Sequence, residues 1–123
     1  MEASSENNDN YVAVRPLTNG TYLQKYTGKA VTLVGVVILV NPNGMSFDLK
    51  TPDLQIVTVQ MRKPLKEPVS GLVEVQGIVS GRNNIICDYY LVFAKEIADT
   101  YDQDLTNETI QIIQNVPNAW TGD

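Results

Sequence analysis

With 123 residues, the chain is long enough for one domain with a real core and too short for two comfortable ones. A net charge of −5 and an isoelectric point near 4.6 leave no chain-wide basic stripe, which argues against a domain that grips nucleic acid by charge alone. The single cysteine excludes an internal disulfide and fits a reducing compartment. The longest apolar run, AVTLVGVVILV, is too short and too β-branched for a membrane span.

The opening MEASSENNDN is polar and acidic rather than basic then apolar, so residues 1–14 read as a flexible tail and not a secretory signal. NGTYLQKYTG then holds one helical turn, with Tyr22, Leu23 and Tyr26 placed to plug one end of a barrel. KAVTLVGVVILV is a single long strand, and its Gly35 marks a bulge or bend. Val36 to Val40 is apolar on both faces, so its outer face calls for a cover, supplied by the chain's own tail or terminal helix. NPNG (Asn41 to Gly44) is a tight turn, and MSFDLK alternates with Met45, Phe47 and Leu49 on one side.

LQIVTVQM is the third strand, and Pro64 and Pro68 break the chain after it. GLVEVQGIVSG points Val73, Val75 and Val79 inward and carries a second mid-strand glycine, Gly77. GRNN turns the chain into NIICDYYLVFA, the fifth strand. Five strands with short hairpins are too few for an immunoglobulin-type sandwich, and no helices alternate with them to make a parallel sheet. The reading is all-β with a terminal helix: a five-stranded OB-fold barrel over residues 15–98, a linker at 99–104, a C-terminal α-helix at 105–116 and a tail at 117–123.

That helix raises a question of coverage. Leu105, Thr109, Ile112 and Val116 fall within roughly 60° of arc, and Ile113 with Ile110 widens the apolar face to about 160°, whereas a helix on a small domain needs about 100°. Asp104 or Thr106 is the expected N-cap, and Pro117 ends the helix. A contiguous surplus of apolar surface marks an interface. The expected partner-binding residues are therefore Leu105, Thr109, Ile112, Ile113 and Val116, with Trp120 either an anchor in the same interface or a lid on the barrel.

No histidine is present, which removes the commonest general base, the commonest metal ligand and every Ser-His or Cys-His pair. Cys87 sits mid-strand among apolar neighbours as a structural thiol, and no glycine-rich phosphate loop occurs. The chain reads as non-enzymatic, with no cofactor. Direct single-strand binding would need aromatic platforms on the second and third strands. Those strands offer Ser46, Asp48, Lys50, Gln55, Thr58 and Gln60 instead, leaving Arg62, Lys63 and Arg82 for weak nucleic-acid contacts.

The order of a leading Arg15, TYLQKYTGKAVTLVG, NPNG, PVSGLVEVQGIVSG, NIICDYYLVF and a helix running into NVP resembles the small-subunit family of replication protein A, the eukaryotic single-strand-binding heterotrimer. The likeness spans Arg15 to Val116, and the whole pattern carries it rather than any one motif. The resemblance implies an OB barrel whose terminal helix joins helices of a middle and a large subunit in a three-helix bundle. It implies a nuclear assembly element that meets single-stranded DNA mainly through its complex. Either general replication protein A or a paralogous, telomere-associated trimer is compatible with these residues.

Overall fold

The computed structural model describes residues 15–116. The two expected tails, residues 1–14 and 117–123 with Pro117 and Trp120, lie outside the described residues. In chain order the elements are β1 (Leu17–Thr18), α1 (Gly20–Leu23), a 3-10 turn (Gln24–Tyr26), β2 (Ala30–Val40), β3 (Ser46–Lys50), β4 (Ile56–Gln60), β5 (Leu72–Gly81), β6 (Asn84–Val92), α2 (Lys95–Ala98) and α3 (Gln103–Gln114).

The strands pair in the order β1-β2-β3-β4-β6-β5, and β5 returns to β2 to close a five-stranded barrel. Strand β2 makes closure possible by serving two neighbours. Its first half, Ala30 to Val36, runs antiparallel to β5, and its second half, Val36 to Val40, runs antiparallel to β3. The chain must cross from one partner to the other near Gly35, where a Cβ would stand 2.7 Å from the Lys50 carbonyl oxygen. Only glycine lets the strands approach that closely. A short parallel ladder joins Thr58–Gln60 of β4 to Asn84–Ile86 of β6, and the short β1 also runs parallel, beside Thr32 and Leu33 of β2. The sheet is therefore mixed, the OB-type barrel expected.

Alternation places the core. Val31, Leu33, Phe47, Leu49, Val57, Val59, Val73, Val75, Val79 and Ile85 all point inward and are buried, with Cys87 beside them. Met45, expected on the same side as Phe47, precedes β3 and stays at the exposed rim. Gly77 lies where the β5–β6 register slips, opposite Cys87 while Gln76 faces Tyr89, and a Cβ there would run into the Ile86 carbonyl. The mid-strand glycines thus mark a close approach and a bulge.

Leu23 of α1 is fully buried and plugs one barrel end, while Tyr22 and Tyr26 flank it half-buried. The plug is pinned by Asp53 of the β3–β4 connection. Its carboxylate accepts from the backbone N–H of Gly20 (3.1 Å) and Thr21 (2.8 Å) and from the hydroxyls of Thr21 and Thr51, each at 2.6 Å. Burial alone would push the Asp53 carboxyl up, but these hydrogen bonds outweigh it and hold the group below its usual range.

Two expectations need correction here. The outer face of Val36 to Val40 is not covered by the terminal helix, and the tail, the other expected cover, lies outside the described residues: Ile38 and Leu39 are 48% and 63% exposed, at a register shift between Val37 and Leu39. The terminal helix begins at Gln103 rather than Leu105 and ends at Gln114. Its N-cap is Asp102, not Asp104 or Thr106; the Asp102 carboxylate accepts the Leu105 N–H at 2.9 Å. Asp104 instead falls in the first turn, where its charge favours the helix dipole.

Candidate partner-binding site

Helix α3 lies against β1 and the plug, and the residues that seat it there are mostly polar. Asn107, Ile110 and Gln114 form the barrel-facing stripe at i, i+3, i+7 spacing, and Ile110 is the helix residue that is fully buried. The Asn19 side-chain amide donates to Asn107 Oδ1 at 2.8 Å, while Asn19 Oδ1 accepts the Tyr22 N–H at 3.1 Å and so caps α1. Gln114 is used at both ends. Its oxygen accepts from the Tyr26 hydroxyl at 2.8 Å, and its amide donates to the Leu17 carbonyl at 3.1 Å. Asn19 is 1% exposed, so leaving its amide unpaired would strand a buried polar group, while Leu17, Tyr26 and Gln114 are half-buried.

The opposite side of α3 is apolar and open. Leu105, Ile112 and Val116 are 58%, 65% and 47% exposed, and Thr109 between them is exposed as well, its hydroxyl turned back to the Leu105 carbonyl at 2.9 Å. At about 100° per residue, the centre of this stripe lies roughly 160° around the helix from the centre of the Asn107–Ile110–Gln114 stripe. The barrel-facing stripe thus sets two carboxamides around one isoleucine, while Leu105 and Ile112 face out. Ile97 of α2, 55% exposed, adds a further apolar side chain just before the helix in the chain.

Of the partner-binding residues expected from sequence, Leu105, Thr109 and Ile112 share the outward face of α3, and Val116, also exposed, follows the helix end. Ile113 sits at its margin, half-buried, and Trp120 is outside the described residues. The seating residues Asn19, Tyr26, Asn107 and Gln114 were not anticipated from sequence, nor was Ile97. The one available signal was the i, i+3, i+7 spacing of Asn107, Ile110 and Gln114, which reads as a stripe only once an asparagine is allowed to face inward.

Arg62 and Lys63, expected as weak nucleic-acid contacts, lie in a groove of about 630 Å³ between the Met61–Pro68 segment and Cys87–Val92 of β6. Lys66, Tyr89 and Tyr90 line it too. Arg62 is tied to Asp88 at 3.0 Å, and Arg15 reaches the other oxygen of the same carboxylate at 3.3 Å, so one acid is shared by two arginines. Arg82, in the β5–β6 hairpin, is not part of this lining. Cys87, at the groove floor, is 4% exposed; burial, with Asp88 beside it, pushes its thiol up to about 11, so it remains a protonated structural side chain at neutral pH. Among the described residues no cluster of metal-ligating side chains occurs.

This architecture recurs in solved structures. The chain is similar to a chain of U. maydis replication protein A bound to ssDNA, at 26% identity and a TM-score of 0.70, over 86% of this chain and 94% of that one. The telomere capping protein Ten1 from Saccharomyces pombe matches at 12% identity and a TM-score of 0.64, over 83% of this chain and 99% of that one. A chain of the S. pombe Stn1–Ten1 complex matches at 11% identity and a TM-score of 0.62, over 84% of this chain and 94% of that one. At these last two identities the likeness is one of fold alone. The profile of the family described as Replication factor A protein 3 matches residues 9–120, which takes in the whole barrel and α3. The chain belongs to that family.

Proposed function

We propose that this protein is a non-catalytic assembly subunit of a heterotrimeric single-stranded-DNA-binding complex of the replication protein A type. It joins a middle and a large subunit through α3 and serves nuclear DNA replication, repair, recombination or telomere maintenance. The observation that carries this reading is the outward face of α3: Leu105, Thr109 and Ile112, with Val116 exposed just past the helix end, are open while two carboxamides around Ile110 seat the helix on the barrel. An apolar stripe of this length on a folded surface supports helix-on-helix packing, with Ile113 at its edge and Trp120 beyond the helix end. Contact with single-stranded DNA is then mainly indirect, through the larger partners.

The test is assembly of the full chain with middle and large subunits from the same organism, followed by light scattering. A one-to-one-to-one complex is expected with the parental chain, and none with the double substitution Leu105→Glu/Ile112→Glu. A complex that tolerates both glutamates would refute the reading.

A second reading, a weak single-strand-binding module in its own right, is favoured by the groove that holds Arg62, Lys63, Lys66 and Tyr89. It requires the isolated chain to bind a short oligonucleotide with an affinity that falls steeply with salt and weakens on Lys63→Glu. Binding that is absent at low salt would eliminate it.

A further inference from the structure

The polar seat of α3 does more than attach it. We propose that the hydrogen bonds Asn19–Asn107, Tyr26–Gln114 and Gln114–Leu17 carbonyl form a rotational lock that keeps the apolar face of α3 turned outward in the free subunit, making Asn19, Tyr26, Asn107 and Gln114 positioning residues for partner capture. This deepens the assembly reading above and rests on it for its biological consequence, though not for its geometry.

The outward stripe of α3 is richer in aliphatic surface than its inward one, so burial of apolar area by itself favours a rotation of about 160° that would bring Leu105, Ile112 and Val116 onto the barrel. In that rotated state the Asn19 amide and the Leu17 carbonyl would lose their helix partners. Asn19 is 1% exposed, so water could not readily replace what Asn107 supplies. The bonds are directional and sit seven residues apart, at Asn107 and Gln114, with Ile110 filling the space between them. Two such pegs on one stripe fix rotation as well as position; a purely aliphatic contact would fix neither sharply. Near the end of the helix, the Asn115 side-chain amide adds a 3.4 Å contact to the Tyr22 hydroxyl and a 2.7 Å bond to the Gln111 carbonyl.

Substituting Asn107 and Gln114 leaves the Asn19 amide and the Leu17 carbonyl without helix partners in either rotation. The lock's preference is thereby erased and apolar burial decides. The expected result is a helix that still forms but hides its aliphatic face.

The rotation can be read without any partner. Ile112→Cys places a thiol on the exposed stripe, and Cys87 contributes little background at pH 7.5, being 4% exposed with its thiol held up at about 11. In the full chain carrying Ile112→Cys, adding Asn107→Ala/Gln114→Ala should slow maleimide labelling about tenfold, the slowing that follows when the outward rotation falls from nearly all molecules to about one in ten. Asn107→Asp, which keeps an acceptor for the Asn19 amide, should label at the parental rate. Should the double substitution unfold the helix, Tyr26→Phe, which deletes a single hydroxyl, should give a smaller slowing in the same direction. Labelling that is unchanged or faster in these variants overturns the lock.

The second arm uses chains with Ile112 intact, mixed with the middle and large subunits. Here Asn107→Ala/Gln114→Ala should raise the concentration needed for assembly about tenfold. Slowed labelling together with assembly that ignores Leu105→Glu/Ile112→Glu would leave the geometry standing and sink its assigned purpose. Unchanged labelling with assembly abolished by those glutamates would do the reverse.

Discussion

The assembly reading stands or falls on Ile112, the most exposed aliphatic residue of α3, at 65%. In a helix–helix interface its side chain would gain about 1–2 kcal/mol from burial of the part still open to water. Ile112→Glu forfeits that gain and requires a carboxylate to enter an apolar contact, a further penalty of about 2–3 kcal/mol even after partial relaxation. The sum, about 4 kcal/mol, corresponds to roughly a thousandfold loss of affinity for the partner subunits. In the free chain the same substitution touches almost nothing. Glutamate is at least as good a helix former as isoleucine, and its only new neighbour of consequence is Glu108 one turn back, a repulsion of about 0.2–0.5 kcal/mol. Thermal unfolding of the isolated variant should therefore lie within about 3 °C of the parent. Titration calorimetry of the assembled partners against each chain, beside an unfolding curve for each, separates the two effects. A variant that assembles within about threefold of the parent would refute the reasoning, as would one whose unfolding temperature collapses while assembly persists.

Gly77→Ala should destabilise the barrel by about 1–3 kcal/mol in urea unfolding, since the new methyl group meets the Ile86 carbonyl and the β5–β6 bulge must shift to admit it. Asp53→Asn should cost about 1–2 kcal/mol at pH 7 by weakening the hydrogen bonds that hold α1. Because the Asp53 carboxyl lies below its usual range in the folded chain, its stabilisation is present above the unfolded value and is lost as pH falls through the folded one. The gap between parent and Asp53→Asn should therefore close in acid, and a gap that widens there would contradict the assignment. Cys87 works in the opposite direction. Its thiol is raised from 9.0 to about 11, so the folded chain favours the protonated form and loses stability as pH climbs from about 9 towards 11. Cys87→Ala should flatten that part of the stability profile, and an identical slope in parent and variant would show that the thiol is not the cause.

Much of the barrel was legible because strand burial repeats every second residue. Phe47 and Leu49, or Val73, Val75 and Val79, declare their side of the sheet without help from distant neighbours. What escaped was set by partners far along the chain. The β2 bulge that exposes Ile38 and Leu39 depends on how β3 registers against it, and a run of β-branched residues gives no sign of that shift. The helix start was misplaced by two residues because Asp102, Asp104 and Thr106 are all competent caps, and local chemistry separates them by little. The seat of α3 was the least visible feature. Its hydrogen bonds join residues 88 and 97 positions apart, and nothing in TNETIQIIQN distinguishes an asparagine bound for solvent from one bound for a buried partner.

The same seat explains why a surplus of apolar residues on α3 need not make the subunit misfold. A helix with aliphatic side chains on both faces has two possible rotations, and because the outward stripe is the richer in aliphatic surface, apolar contact alone would turn that stripe onto the barrel. Placing Asn107 and Gln114 on one stripe, opposite the buried Asn19 amide and the half-buried Leu17 carbonyl, makes one rotation satisfy both groups and the other strand the Asn19 amide. Hydrogen bonds add little net stability to a folded chain, yet the penalty for leaving them unmade when buried is larger, and that asymmetry gives them authority over orientation. Ile110 alone could anchor the helix; it could not aim it. The outward stripe of Leu105, Thr109, Ile112 and Val116 is therefore exposed because the inward stripe is polar, and the choice of side chains on the hidden face determines what the visible face can bind.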